Sequence, residues 1–385
     1  MKADWKAPSI FKWHLIEWRA QQYRDPIQRL AYLRRAANSG TSNRRPLVYK
    51  YSAMALLLTV FLVSRTQTVL DLNASYPRSQ RNLKAPVIKQ SNQAFAPAWL
   101  VEKGRDYEIY SNGLRIENRF LTPNEPRSYV IFRNGSPSET SGDRHSKPVG
   151  IVFHTSESPQ ALFTADENDS LKRIGHQLLE YVSRNQSYHF VIDRFGQIFR
   201  MVPETDVANH AGYSVWADPD GIYVNLNHSF LGISFEAQTR NLDEGCYLSP
   251  TQIHSGRLLV EMLINKYKIS LKNCVTHAQV SVDPSEMTIG HHTDGSGDFP
   301  FKELGIPDNY SLPIPSLFIF GFDFDARFLM SSGTRMWKGL LLADERLRRE
   351  AHAQQLSVDQ HKQILREKYR TSIAMLKTMG IIKEK

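Results

Sequence analysis

Gly150-Ile151-Val152-Phe153-His154-Thr155 is the stretch on which the fold turns. Three β-branched or aromatic residues in a row, opened by glycine and free of charge, predict a short buried strand over Gly150–His154. His154 then stands at the end of that strand, where a sheet delivers side chains to its rim. Working outward, the spacing predicts a helix over Leu171–Val182, and strands over Tyr188–Ile192 and Gln197–Val202 form a hairpin around Arg194-Phe195-Gly196. Another strand follows at Leu231–Glu236. Pro250 opens a helix running to about Tyr267, with Leu258, Leu259, Met262 and Leu263 at helical spacing. Strands alternating with helices, plus one hairpin, define an α/β domain: a mixed central β-sheet flanked by helices.

The chain of 385 residues, 41% of them hydrophobic, is long enough for one substantial core with appendages. Its net charge of +9 is concentrated at one end. Residues 1–50 carry eleven Lys/Arg against Asp4, Glu17 and Asp25, a charge of +8, which leaves +1 for the remaining 335 residues. No basic stripe crosses the body, so nucleic acid is not an expected partner. The two cysteines, Cys246 and Cys274, form no Cys-x-x-Cys pair, so any metal falls to His and carboxylate ligands. Whether they form one bridge or remain two buried thiols is open at this stage.

Tyr51–Ser64 is an uncharged run between Lys50 and Arg65. As a helix it spans roughly 21 Å against a hydrocarbon core of ~30 Å, and flanking apolar residues lengthen it while Lys50 and Arg65 snorkel. With positive charge only on its N-terminal side, it predicts an uncleaved single-pass signal anchor over residues 51–70, a cytoplasmic N-terminus and an extracytoplasmic body. A cleaved segment, giving a secreted protein, and a buried helix are the alternatives. In the leader, Trp5, Phe11, Trp13 and Trp18 among basic residues suit an anionic membrane surface or packing on the body. Residues 72–100, rich in Ser, Asn, Gln and Pro, read as a linker. After about Trp337 the chain is charged and helical, with Leu347, Ala351, Val358, Leu365, Tyr369 and Leu376 on a loose stripe that docks on the domain or pairs with another chain.

His277, in Val275-Thr276-His277-Ala278, ends a later predicted strand, and a glycine-rich loop from Gly290 to Phe301 offers His291, His292, Asp294 and Asp298. Two imidazoles and a carboxylate with an open fourth position make a catalytic zinc set.

These motifs together resemble the type-2 N-acetylmuramoyl-L-alanine amidases and the related peptidoglycan recognition proteins. The resemblance covers about residues 148–305. It rests on Ile151–Thr155, Tyr188-His189-Phe190-Val191-Ile192-Asp193, Asn209-His210-Ala211-Gly212, Leu231–Glu236, Thr276-His277-Ala278 and the Asp294 loop, in that order. It implies Zn2+ held by His154, His277 and Asp294, with Asp298 and the neighbouring histidines as alternative third ligands. The implied activity is hydrolysis of the amide between the N-acetylmuramoyl lactyl group and L-alanine of peptidoglycan or muropeptides. A non-catalytic peptidoglycan-binding module is the alternative. One branch of the family carries glutamate where this chain has Ser234, while another uses a tyrosine matched by Tyr188. His292 stands where many members have lysine. Tyr188 and His292 are therefore expected to orient water and stabilise the oxyanion. Glu236 is expected to hydrogen-bond a ligand imidazole from behind, and His210 to contact substrate. With the charge and apolar pattern of the termini, the expected organisation is a leader (1–50), an anchor (51–70), a linker and domain-leading segment (71–147), the amidase domain (148–310) and a mostly helical extension (311–385).

Overall fold

The computed structural model describes residues 97–140, 142–239 and 248–382. The leader, the expected anchor, most of the linker and Cys246 lie outside the described residues. Among those described, no helix is long and apolar enough to cross a membrane. Cys274 is a buried free thiol.

Three short strands, β1 (Leu100–Lys103), β2 (Tyr107–Tyr110) and β3 (Arg115–Glu117), lead in as an antiparallel meander. Then come β4 (Phe132–Arg133), β5 (Ser136–Thr140), β6 (Gly150–Thr155) and helix α1 (Asn168–Asn185). The predicted hairpin is β7 (Phe190–Ile192) and β8 (Ile198–Arg200), followed by β9 (Val215–Asp218), β10 (Gly221–Val224) and β11 (Phe230–Phe235). Helix α2 (Pro250–Tyr267) starts where the proline predicts. Ser249 caps it and exchanges hydrogen bonds with Gln252 in a capping box. Beyond it lie β12 (Cys274–Thr276), the single-turn α3 (His277–Val280), and the pair β13 (Val282–Asp283) and β14 (Thr288–Ile289). Helices α4 (Pro315–Phe320), α5 (Ala326–Ala353) and α6 (Val358–Thr378) complete the chain.

The expected mixed α/β sheet is present. Eight strands run in the order β1-β2-β3-β8-β7-β11-β6-β12. β7, β11, β6 and β12 pair in parallel, while the meander and the β7–β8 hairpin supply the antiparallel pairs. A separate four-stranded sheet, β5-β4-β10-β9, is antiparallel. Every residue of β6 and β11 is buried, as central parallel strands require. On one side of β6, Phe153 stacks on Phe299 with ring centroids 4.8 Å apart, and Phe235 and Phe301 pack around them. Each such side chain contributes about 1.5–3 kcal/mol when fully buried.

One boundary differs from expectation. His277 opens α3 instead of ending a strand, because Thr276 and Gln279 close a capping box around it. Helix α5 breaks at Gly333, whose backbone is non-helical at φ +71°, so its longer part starts close to Trp337, and the stripe it shares with α6 docks on the domain. Tyr369 of α6 packs edge-on against Phe320 and Phe322, and Lys362 and Arg366 both pair with Asp323.

Candidate metal centre

His154 sits near the end of β6, in register with Ser234 on β11. His277 follows β12, the other parallel neighbour of β6, so adjacent strands deliver the two imidazoles side by side, with ring centroids 4.5 Å apart. Asp294 comes from the loop after β14. The loop turns through Gly295 at φ +73°, where a Cβ would press on Thr276 at 3.0 Å. Tyr310 donates to the Gly295 carbonyl, and Ala278 N–H donates to that of Asp294 at 3.2 Å. Asp294 then faces both histidines: Oδ2 lies 2.9 Å from His154 Nδ1, and Oδ1 lies 2.8 Å from His277 Nδ1.

Hydrogen bonding behind His154 settles which nitrogen is free. The Phe230 carbonyl only accepts, so His210 Nε2, 3.3 Å away, carries the proton. Burial and the neighbouring His154 and His189 hold His210 well below its ordinary pKa, so it is neutral and its Nδ1 accepts. His154 Nε2, 3.2 Å from that Nδ1, is therefore the donor. Burial, with His277 alongside, lowers His154 to about 4, so this ring is neutral as well and its Nδ1 bears a lone pair. A lone pair and a carboxylate oxygen thus oppose each other at 2.9 Å, a contact that a cation between them turns from repulsive to favourable. His277, with Nε2 lacking a hydrogen-bond partner among the described residues, adds a third donor atom. The three ligand atoms lie within 4.8 Å of one another. Two imidazole nitrogens with one carboxylate suit zinc, whose tetrahedral ligands sit about 3.3 Å apart for bonds near 2.0–2.1 Å.

A groove of about 990 Å3 runs over this cluster. Tyr188 lines it, its ring 5.0 Å from that of His154, and burial together with the charge of Asp294 keeps the phenol above its usual pKa and therefore neutral. His292 lines it too, stacked on His277 at 4.8 Å with an interplanar angle of 18°. Burial and His277 lower its pKa. Of the alternative third ligands, Asp298 pairs with Arg335 at 3.3 Å and His291 with Asp283 at 3.4 Å, whereas His292 stays beside His277.

One expected role passes to another residue. Among the described residues Glu236 makes no hydrogen bond to His154 or His277; its carboxylate accepts from Arg194 N–H at 3.1 Å and lies against Gly175 of α1, in a separate cavity shared with Asp193. The hydrogen bond behind the ligand comes instead from His210, which spends both ring nitrogens on His154 and the Phe230 carbonyl. The sequence signal was present in Gly232, the only residue type that leaves room there. A Cβ at that position would lie 2.5 Å from His210 Cγ. The sequence reading also missed the groove residues of α6 and the segment after it: Tyr369, Ile373, Ile381 and Ile382.

A sequence profile of the N-acetylmuramoyl-L-alanine amidase family matches residues 144–295, the span that holds all three candidate ligands. The family resemblance carried by the motifs holds over this segment. Among solved structures, the chain is similar to E. coli N-acetylmuramyl-L-alanine amidase AmiD in complex with an anhydromuramyl peptide substrate. The identity is 20%, covering 54% of this chain and 64% of that one, with a TM-score of 0.32. It is similar to Pseudomonas aeruginosa AmpDh3 in complex with anhydromuramic pentapeptide at 24% identity, over 43% and 62%, with a TM-score of 0.29. It is also similar to Drosophila peptidoglycan recognition protein SD at 14%, over 41% and 79%, with a TM-score of 0.24. The chain thus spans a little under two thirds of AmiD and AmpDh3. No curated protein matches it.

Proposed function

We propose that the chain is a zinc-dependent N-acetylmuramoyl-L-alanine amidase, hydrolysing the amide between the lactyl group of N-acetylmuramic acid and the L-alanine of the stem peptide. The observation that carries this reading is the convergence of one imidazole nitrogen each from His154 and His277 with an Asp294 carboxylate oxygen beside an open groove, in a segment that matches the amidase family. These three residues would hold the metal. When bound, zinc supplies a Lewis acid that makes water nucleophilic near neutral pH and polarises an amide carbonyl. The chain's own part is orientation. His210 fixes the His154 tautomer, and Tyr188 and His292 border the same groove as donors toward the oxyanion that develops on the lactyl carbonyl. The full chain, incubated with muropeptides with and without a chelator, should release free stem peptide only when zinc is present. Binding without cleavage in the presence of zinc would place it among recognition modules instead.

We further propose that residues 51–70 anchor the chain with the amidase domain outside the cytoplasm, where peptidoglycan lies. The +8 leader and the apolar run support this topology. Protease added to spheroplasts should then degrade the domain, and full protection would refute the orientation.

A further inference from the structure

We infer that the C-terminal extension forms a wall of the substrate groove, and that Tyr369 on this wall hydrogen-bonds the peptide arm of the ligand. The inference rests on the peptidoglycan reading of the same site. The family match ends at residue 295, yet α6 and the turn after it line the groove that also contains His277 and Asp294. The wall is fixed in place. Tyr369 is wedged against Phe320 and Phe322, Arg366 reaches Asp323 at 2.7 Å, and Arg144 Nη2 donates to the Met379 carbonyl at 2.9 Å.

Tyr369 is 2% exposed, and its hydroxyl has no hydrogen-bond partner among the described residues. A buried, unpaired hydroxyl is unfavourable unless something else completes it. Asn225, on the same groove, has a buried Oδ1 that also lacks a partner, and its N–H is used by the Ser214 carbonyl at 3.0 Å. One unpaired hydroxyl donor, one unpaired carbonyl acceptor, and the half-buried Ile373 and Ile382, all lining the same groove, are complementary to an amide flanked by small apolar side chains. A stem peptide that begins with alanine has that chemistry, its carbonyl accepting from Tyr369 and its N–H donating to Asn225. Because the wall is ordered before the ligand arrives, the contact costs little conformational entropy.

The test compares the zinc-loaded full chain with Tyr369→Phe on an N-acetylmuramoyl tripeptide, using N-acetylmuramic acid as a peptide-free competitor. The loss of one uniform binding contact should raise KM roughly 3–10-fold with kcat, zinc content and melting temperature unchanged, and should leave inhibition by the bare sugar unaltered. Ile382→Ser, at the half-buried end of the wall, should raise KM in the same direction. An unchanged KM in both variants overturns the inference, and so does an equal loss of affinity for the bare sugar, which would assign the wall to the glycan. If the wild-type chain leaves the tripeptide uncut, the amidase reading fails, and calorimetry of tripeptide binding decides the wall separately. Binding weakened 3–10-fold by Tyr369→Phe supports it, and equal or absent binding refutes it.

Discussion

His292 and Glu236 are both ionisable and both adjoin the central strands, yet they stand in different surroundings, His292 at the groove and Glu236 in a separate cavity. His292 stacks on a ligand ring at the groove, with its backbone N–H held by Ser281 Oγ at 3.0 Å. His292→Ala should lower turnover by roughly 10²–10³-fold, the scale for loss of one oxyanion donor, while zinc content stays intact. Loss of zinc in that variant would make His292 a ligand. Glu236 acts on stability. Burial and the neighbouring Asp193 raise its pKa from the usual 4.5 to about 7. The folded state therefore holds a proton that the unfolded chain releases, so this contribution is complete below about 4.5 and lost as pH rises through about 7. Glu236→Gln, which cannot ionise, should melt higher than wild type at pH 8 and show little difference at pH 4. A constant offset at both values would contradict the assignment.

At the scale of elements, the gaps in the sequence reading have physical causes. The four central strands and α2 were legible because their signals are local: unbroken apolar runs for the strands, and Ser249, Pro250 and Gln252 for the helix. The β1–β3 meander was not. Each strand is three or four residues long, and β1 is exposed throughout, so no alternation marks a buried face. The candidate metal ligands were legible as residue types, and Asp294 was separable from Asp298 only through the loop that aims it at both histidines. The helical turn at His277 had a readable sign in Thr276 and Gln279, three residues apart. The stripe on α6 was visible, but its destination was not, because a periodicity names a buried face and not the surface that covers it. β11 carries a prediction of its own. Gly232→Ala would drive a methyl into the His210 ring and break its bond to His154. Zinc affinity should fall about 10–100-fold, the usual loss when a ligand's supporting partner is removed, as read by competition with a chelating dye. Unchanged affinity would show that His210 does not orient the ligand.

Across the whole described chain, the residues beyond the family match do more than cover a surface. Asn309 donates to the Cys274 carbonyl at 2.8 Å and its own carbonyl accepts from Gln279, so it grips both ends of the segment that carries His277. Tyr310 next to it is fully buried, accepts from Phe299 N–H at 3.3 Å and holds the turn beside Asp294. Two of the three candidate ligands are thus steadied by a pair of neighbours outside the matched segment. A fragment spanning residues 97–305 should accordingly bind zinc at least tenfold more weakly than one spanning 97–382, and melt at a lower temperature. Equal values would mean that the shorter piece is self-sufficient. The limits by which a family is recognised are then not the limits at which this chain can be cut, and any grafting of the domain onto another scaffold has to carry Asn309 and Tyr310 with it.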